Sequence, residues 1–405
     1  MRYKIFLILG VLVLAMGACN PAQLPPIVTG TPVIITDTPI PTTTVINTPT
    51  PTSAAINMPL PTPPDLSVVS SPSLTHIAFL DSNNGWGIAS NDGGYVLRTV
   101  DGGITWLNAT PPGLSGIGYS TGLSVLDATT GWVAIPGADP TSGTLFHTTD
   151  GGVTWTSSLV PFGGSSIKFV DPIYGWELVG LGAAMSHEAV EIFQTSDGGA
   201  TWLSVFNNDP TRPDSSGSLP LVGDKNGITA LDANHGWVTG AQPSSDFIYI
   251  YATQDGGTTW VHQDLTMPGG YSGAMTNADL PVFFGTRDGV LPVLFFATNS
   301  GSDFYVSHDG GQTWTPTTPV AQGGFLAVAS AADFFVWDGS APLNVSHDAG
   351  ASWSTVTPNV NIKDNMVSMQ FVNATTGWAL TSDISSHYSL YKTSDGGSTW
   401  NILIP

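Results

Sequence analysis

The stretch "TVDGGITW", Thr99 to Trp106, sets a carboxylate, two glycines and a tryptophan within eight residues. An aspartate in that company can be an acid catalyst, a metal ligand or the head of a turn. Self-comparison of the chain separates these readings. Six further copies follow: "TTDGGVTW" from Thr148, "TSDGGATW" from Thr195, "TQDGGTTW" from Thr253, "SHDGGQTW" from Ser307, "SHDAGASW" from Ser346 and "TSDGGSTW" from Thr393. Their aspartates, Asp101, Asp150, Asp197, Asp255, Asp309, Asp348 and Asp395, stand 39 to 58 residues apart. A period near 50 is that of a propeller blade.

A second element recurs upstream of the boxes, an Asp/Asn turn followed by Gly-Trp, ending at Trp86, Trp132, Trp176, Trp237 and Trp378. In the sixth unit Phe334 and Phe335 stand where Gly and Trp stand elsewhere, and the fifth unit keeps the strand-turn-strand pattern without the Trp. Each unit reads as strand, turn, strand beginning Gly-Trp, loop, strand, Asp-Gly-Gly turn, strand. Scarce charge (10% of residues) and abundant Gly agree with short strands and tight turns. The expectation is an all-β fold, a seven-bladed β-propeller of four-stranded antiparallel blades with Asp-box turns, over residues 66–405. The first unit starts near Leu74 and the last ends in "TWNILIP", so the short run "DLSVVS", Asp65 to Ser70, is expected to add an outer strand to the last blade.

The S/T-x-D-G-G-x-T-W stretch resembles the Asp-box, or bacterial neuraminidase (BNR) repeat. Coupled to an upstream Gly-Trp strand, as in "GWGIASNDGGYVLRTVDGGITW" (Gly85 to Trp106), it is most similar to the photosystem II assembly and stability factor-like propellers, and more distantly to sialidase-like propellers. The first resemblance implies a non-catalytic binding or assembly scaffold. The second implies an extracytoplasmic glycoside hydrolase or carbohydrate-binding propeller, which is the alternative.

Seven aspartates at one structural place in seven units cannot converge on one substrate. A carboxylate at the head of a turn accepts from backbone N–H groups a residue or two onward, and the glycines supply the positive φ angles. All seven are therefore expected to be structural, with no catalytic residue, metal or cofactor among them; the box lacks the alternating ligands of a calcium loop. A sialidase needs an arginine cluster. Past residue 2 only Arg98, at a variable strand position, Arg212, in a long connection, and Arg287, in a turn, remain. A glycosidase with two facing carboxylates stays open.

The third unit departs from the pattern. Lys168 replaces Ala78, Ser124, Thr229 and Gln370 of its sister units, and Glu177 follows Gly-Trp where others carry Gly or an apolar residue. Nearby stand His187, Glu188 and Glu191. These five form the candidate binding patch, near one mouth of the channel. The favoured reading is blander: a Lys168–Glu177 ion pair with a solvated loop carrying the rest. The connection Ser204 to Gly227 is long enough to bind or to be disordered, and its Pro, Ser and Asp content favours disorder.

The first 18 residues read as a lipoprotein signal peptide: Arg2 and Lys4, then an apolar run, then "MGAC", which resembles the bacterial lipobox and makes Cys19 the expected lipid attachment site. Cys19 is the single cysteine, so no disulfide within the chain is possible. Residues 19–65, rich in Thr-Pro, are expected to form an extended stalk. An extracytoplasmic protein tethered to the bacterial cell membrane, and otherwise monomeric, follows. The net charge of −21 disfavours nucleic acid, leaving a protein complex or glycan at the cell surface as expected partner.

Overall fold

The computed structural model describes residues 66–405 apart from 91–93, 115, 118–120, 140, 164–165, 243, 245 and 298–299. Signal peptide, stalk and Cys19 lie outside the described residues. The described residues form strands and turns without a helix, and none of their elements is a helix long and apolar enough to cross a membrane. They make five four-stranded antiparallel sheets and one nine-stranded sheet, an arrangement consistent with a propeller.

Every four-stranded sheet is a meander in chain order. The first contains Leu74–Phe79, Gly85–Ala89, Tyr95–Thr99 and Leu107–Asn108. Its second strand, "GWGIA", is buried along its whole length, because a neighbouring sheet packs on each face; such strands lose the polar alternation of a half-exposed one. The fourth and fifth units share the nine-stranded sheet. Gly236–Gln242 of the fourth unit pairs at its far end with Met275–Ala278 of the fifth, through Ala241 opposite Asn277 and Gln242 opposite Thr276. The fifth unit's first strand is split, Met275–Ala278 and then Val282–Phe284, both paired with Asp288–Phe296.

Aromatic side chains join each unit to the next. Trp132 of the second unit stacks on Phe169 of the third at 3.8 Å, and its indole N–H reaches Gly198 O in the third unit's box at 3.0 Å. Trp176 donates to Asp232 O of the fourth unit at 3.1 Å. Phe335, at the Trp position of the sixth unit, stacks on Phe371 of the seventh at 3.7 Å. Trp86, Trp132, Trp176 and Trp378 are all fully buried, each removing about 200 Å² from water, worth about 5 kcal/mol before conformational entropy.

The same device returns from the seventh unit to the first. Trp378 stacks on Phe79 at 3.6 Å and donates to Gly102 O at 3.0 Å. The Gln370 side chain accepts from Phe79 N–H (2.8 Å) and donates to Phe79 O (2.7 Å). The described part of the "DLSVVS" run, residues 66–70, adds no strand to the seventh unit, which corrects the sequence expectation, although Val69 packs against the core that the first and seventh units share. The run pairs with the outer strand of the first unit: Val68 bridges Leu107, and Val69 N–H reaches Trp106 O at 2.9 Å. The seventh unit already ends in its own five-residue strand, Trp400–Ile404, whereas the first unit's outer strand has two residues; the extra run completes the shorter edge.

Candidate functional site

The box geometry repeats from unit to unit. In the first, Asp101 Oδ1 accepts from Thr105 N–H at 2.9 Å and Oδ2 from the Thr105 hydroxyl at 2.6 Å. The Thr99 hydroxyl donates to Asp101 Oδ1 at 2.9 Å, and its oxygen accepts from Gly103 N–H, also at 2.9 Å. The backbone partner thus lies four residues onward, not one or two. Gly102 and Gly103, at φ 75° and 93°, curl the chain so that Thr105 returns beneath the carboxylate. In the sixth box Ala349 holds the first glycine's place at φ 58°, which costs a residue with a Cβ about 1–2 kcal/mol.

The residue after each box aspartate donates its N–H to the turn before the Gly-Trp strand, at 2.7–3.1 Å in all seven units, as in Gly102 to Asn83 O and Gly396 to Thr375 O. Boxes and these turns therefore share one face of the molecule, the box face. Bonds from the Ser352 hydroxyl, Ser352 N–H and the Ser346 hydroxyl hold the Asp348 carboxyl at about 2, and the other six are held below the ordinary value within the same kind of turn. A carboxylate so engaged is ionised and has spent its lone pairs, so it serves poorly as acid or ligand.

The third-unit patch comes apart. Lys168 lies opposite Trp176, and Glu177, the next residue, lies opposite Ile167. Neighbours along a strand point to opposite faces, so Lys168 and Glu177 stand on two sides of the sheet and the expected ion pair does not form. Glu177 is fully buried. Lys168 lines a cavity of about 500 Å³ together with Ser166, Leu231, Leu280 and Phe283. The walls around the ammonium lower its pKa by desolvation, although the residue is exposed to the solvent of the cavity.

His187, Glu188 and Glu191 belong to the long hairpin of Gly175–Ala184 and His187–Thr195, which projects from the face opposite the boxes. His187 Nδ1 lies 2.9 Å from Met185 O. Glu188 accepts from Lys225 N–H at 2.6 Å, while the Lys225 ammonium donates to Glu188 O, Leu221 O and Gly223 O, each at 2.9 Å. Burial brings that ammonium down to about 8. Glu191 bonds Arg212 Nη1 at 2.8 Å and the Ser204 hydroxyl at 2.6 Å. Arg212 also grips Asp214 through Nε and Nη2, at 3.2 and 2.9 Å. The connection Ser204 to Gly227 is thereby pinned at both ends, with Leu219 fully buried beneath it. This overturns the expectation of disorder: apolar burial and two cations supply the ordering that composition did not suggest. Among the described residues no group of three or more His, Cys, Asp or Glu is arranged to hold a metal ion.

A family model for the BNR/Asp-box repeat matches residues 305–316, the fifth box and its strands. The other six boxes repeat its turn. The chain carries the BNR/Asp-box repeat. No curated protein matches it. Among solved structures, the chain is similar to the GH74 xyloglucanase from Xanthomonas campestris, at 13% identity and TM-score 0.51. That match covers 84% of this chain and 55% of the xyloglucanase, so the protein spans about half its length. A structure described as YCF48 bound to D1 peptide gives 18% identity and TM-score 0.49 over 82% of this chain and 95% of that one. YCF48 from Cyanidioschyzon merolae gives 18% and 0.47 over 82% and 97%. At these identities the likeness speaks for the fold.

Away from its boxes, the protein exposes large apolar side chains on the opposite face: Leu181 (40% exposed), Met185 (88%), Met275 (46%), Phe296 (45%) and Ile384 (104%). Leu181 and Met185 sit at the end of the long hairpin, Met275 faces Phe296 across strands, and Ile384 caps the turn between Gly377–Ser382 and Tyr388–Thr393. Sequence reasoning passed over these and over Asp303. That aspartate is fully buried, accepting at Oδ1 from Phe304 N–H (2.8 Å) and the Thr317 hydroxyl (2.7 Å), with Oδ2 buried and unbonded. Its signal was a carboxylate in "GSDFYVS" at the strand position that Tyr95 occupies in the first unit.

Proposed function

We propose that the protein is a non-catalytic, seven-bladed propeller scaffold, held at the cell surface by a lipid on Cys19, that binds a protein partner through the face opposite its Asp boxes. The observation that carries this reading is the set of exposed apolar side chains on that face, Leu181, Met185, Met275, Phe296 and Ile384. Exposed apolar side chains also stand in the boxes and on the outer strands, as at Ile104, Leu159 and Leu203, but on this face they accompany a projecting hairpin, and exposed apolar groups on such a projection favour a protein contact. The long hairpin that raises Met185 is braced from beneath by Lys225 and Arg212, so the projection is held ready and little ordering entropy remains to be lost on binding.

The boxes, by contrast, are spent on their own turns, which leaves the opposite face free to vary. A photo-crosslinking residue at Met185 in the native host is expected to trap a discrete protein, and one at Ile104, 65% exposed in the first box, is expected to trap none. Phe296→Asp together with Leu181→Asp should remove the Met185 product. Equal yields from both faces, or a product indifferent to those charges, would sink the docking role. Labelling with radioactive palmitate, lost in Cys19→Ser, tests the anchor separately.

A further inference from the structure

In five units the residue across from the Gly-Trp tryptophan, or from its Phe335 replacement, is Ala78, Ser124, Thr229, Ala327 or Gln370. Two of these stitch their unit to the next. The Ser124 hydroxyl accepts from Phe169 N–H at 2.9 Å, and Gln370 makes its paired bonds to Phe79. Lys168 holds the same place in the third unit and does none of this. It makes no hydrogen bond or ion pair with the described residues and is exposed to the cavity, while partial desolvation by the walls lowers its ammonium pKa.

One side of its surroundings is apolar. The cavity of about 500 Å³ that it lines is walled by Leu231, Leu280, Pro281, Val282 and Phe283, and no carboxylate is among its lining residues. None of Leu181, Met185, Met275, Phe296 and Ile384 lines this cavity, so the inference is independent of the docking face. An ammonium without a partner among the described residues, exposed to a cavity whose lining holds no carboxylate, is placed to pair with an anion that enters it. The volume lies within the ~300–1,000 Å³ of small-ligand pockets.

We propose that this cavity is a binding site for a carboxylate carried on an apolar body, with Lys168 pairing the carboxylate and Leu280, Val282 and Phe283 covering the apolar part. Such a ligand is either the free C-terminus of an apolar peptide or a medium-chain organic acid; both present one anionic end and one greasy end. A neutral sugar or a phosphate finds less here, since the walls offer few donors and one cation.

The test titrates the full-length protein by calorimetry with four probes: acetyl-Leu-Leu-Phe as free acid, the same peptide as C-terminal amide, decanoate and decanol. Binding of an acid with loss of about 10- to 100-fold in its neutral partner is expected, and which acid binds identifies the source. Lys168→Met should lose that preference and Lys168→Arg retain it, with thermal melts confirming that both fold. No binding of either acid, equal binding of acid and neutral probe, or an unchanged preference in Lys168→Met would each overturn the proposal.

Discussion

Replacing Asp303 by Asn tests the electrostatics of the core. The carboxyl is fully buried, with Oδ1 bonded twice and Oδ2 bare, and burial raises it from 3.8 to about 6. The folded protein therefore holds the proton more tightly than the unfolded chain. Its contribution to stability is intact below pH 3.8 and is lost as pH rises through about 6. Over that window the ionisable Asp costs about 3 kcal/mol. In Asp303→Asn the amide oxygen keeps both Oδ1 bonds, and the NH2 takes the place of the bare oxygen at a cost that does not change with pH. Urea unfolding of both proteins at pH 4.5 and pH 7.5 gives a double difference from which every other titrating group cancels. Asn should gain about 2 kcal/mol relative to Asp between the two pH values. A variant whose stability difference from the parent is the same at both pH values would refute the reasoning.

Two further outcomes follow from the packing. Trp378→Ala, which removes the stack on Phe79 and the bond to Gly102, should cost about 3–5 kcal/mol, read as a lowered urea midpoint; a loss under about 1 kcal/mol would mean that the first and seventh units close by other contacts. Arg212→Met leaves Glu191, 8% exposed, without its cation and frees the connection beneath the long hairpin. Limited proteolysis should then cut between Asn208 and Leu219 several-fold faster, and an unchanged cutting rate would show that burial of Leu219 alone holds the segment.

The repeat was legible because its chemistry is local. Thr99, Asp101, Gly102, Gly103 and Thr105 close their turn within seven residues, so a sequence window contains the whole argument. What lay outside a window was misread. Lys168 and Glu177 look like an ion pair until register sets Lys168 across from Trp176 and alternation sends Glu177 to the other face. The connection from Ser204 to Gly227 reads as disordered because its order comes from Glu191 and Glu188, residues on a different strand. The run at Val68 found the first unit's edge rather than the last's, a choice made by which outer strand is short. Asp303 was hidden because nothing local distinguishes a buried aspartate from a solvated one.

Among the described residues, the return from the seventh unit to the first runs through side chains, and no strand of one is lent to the other's sheet. Each such unit is therefore one unbroken stretch of chain, and an in-frame duplication or deletion can add or remove a whole one without severing a sheet. Circumference then depends on the wedge angle that stacked aromatics such as Trp132 on Phe169 impose, summed around the circle, and on no covalent clasp. The fourth and fifth units are the exception: Ala241 and Asn277 bind them into one sheet, so in any such rearrangement they should travel as a pair.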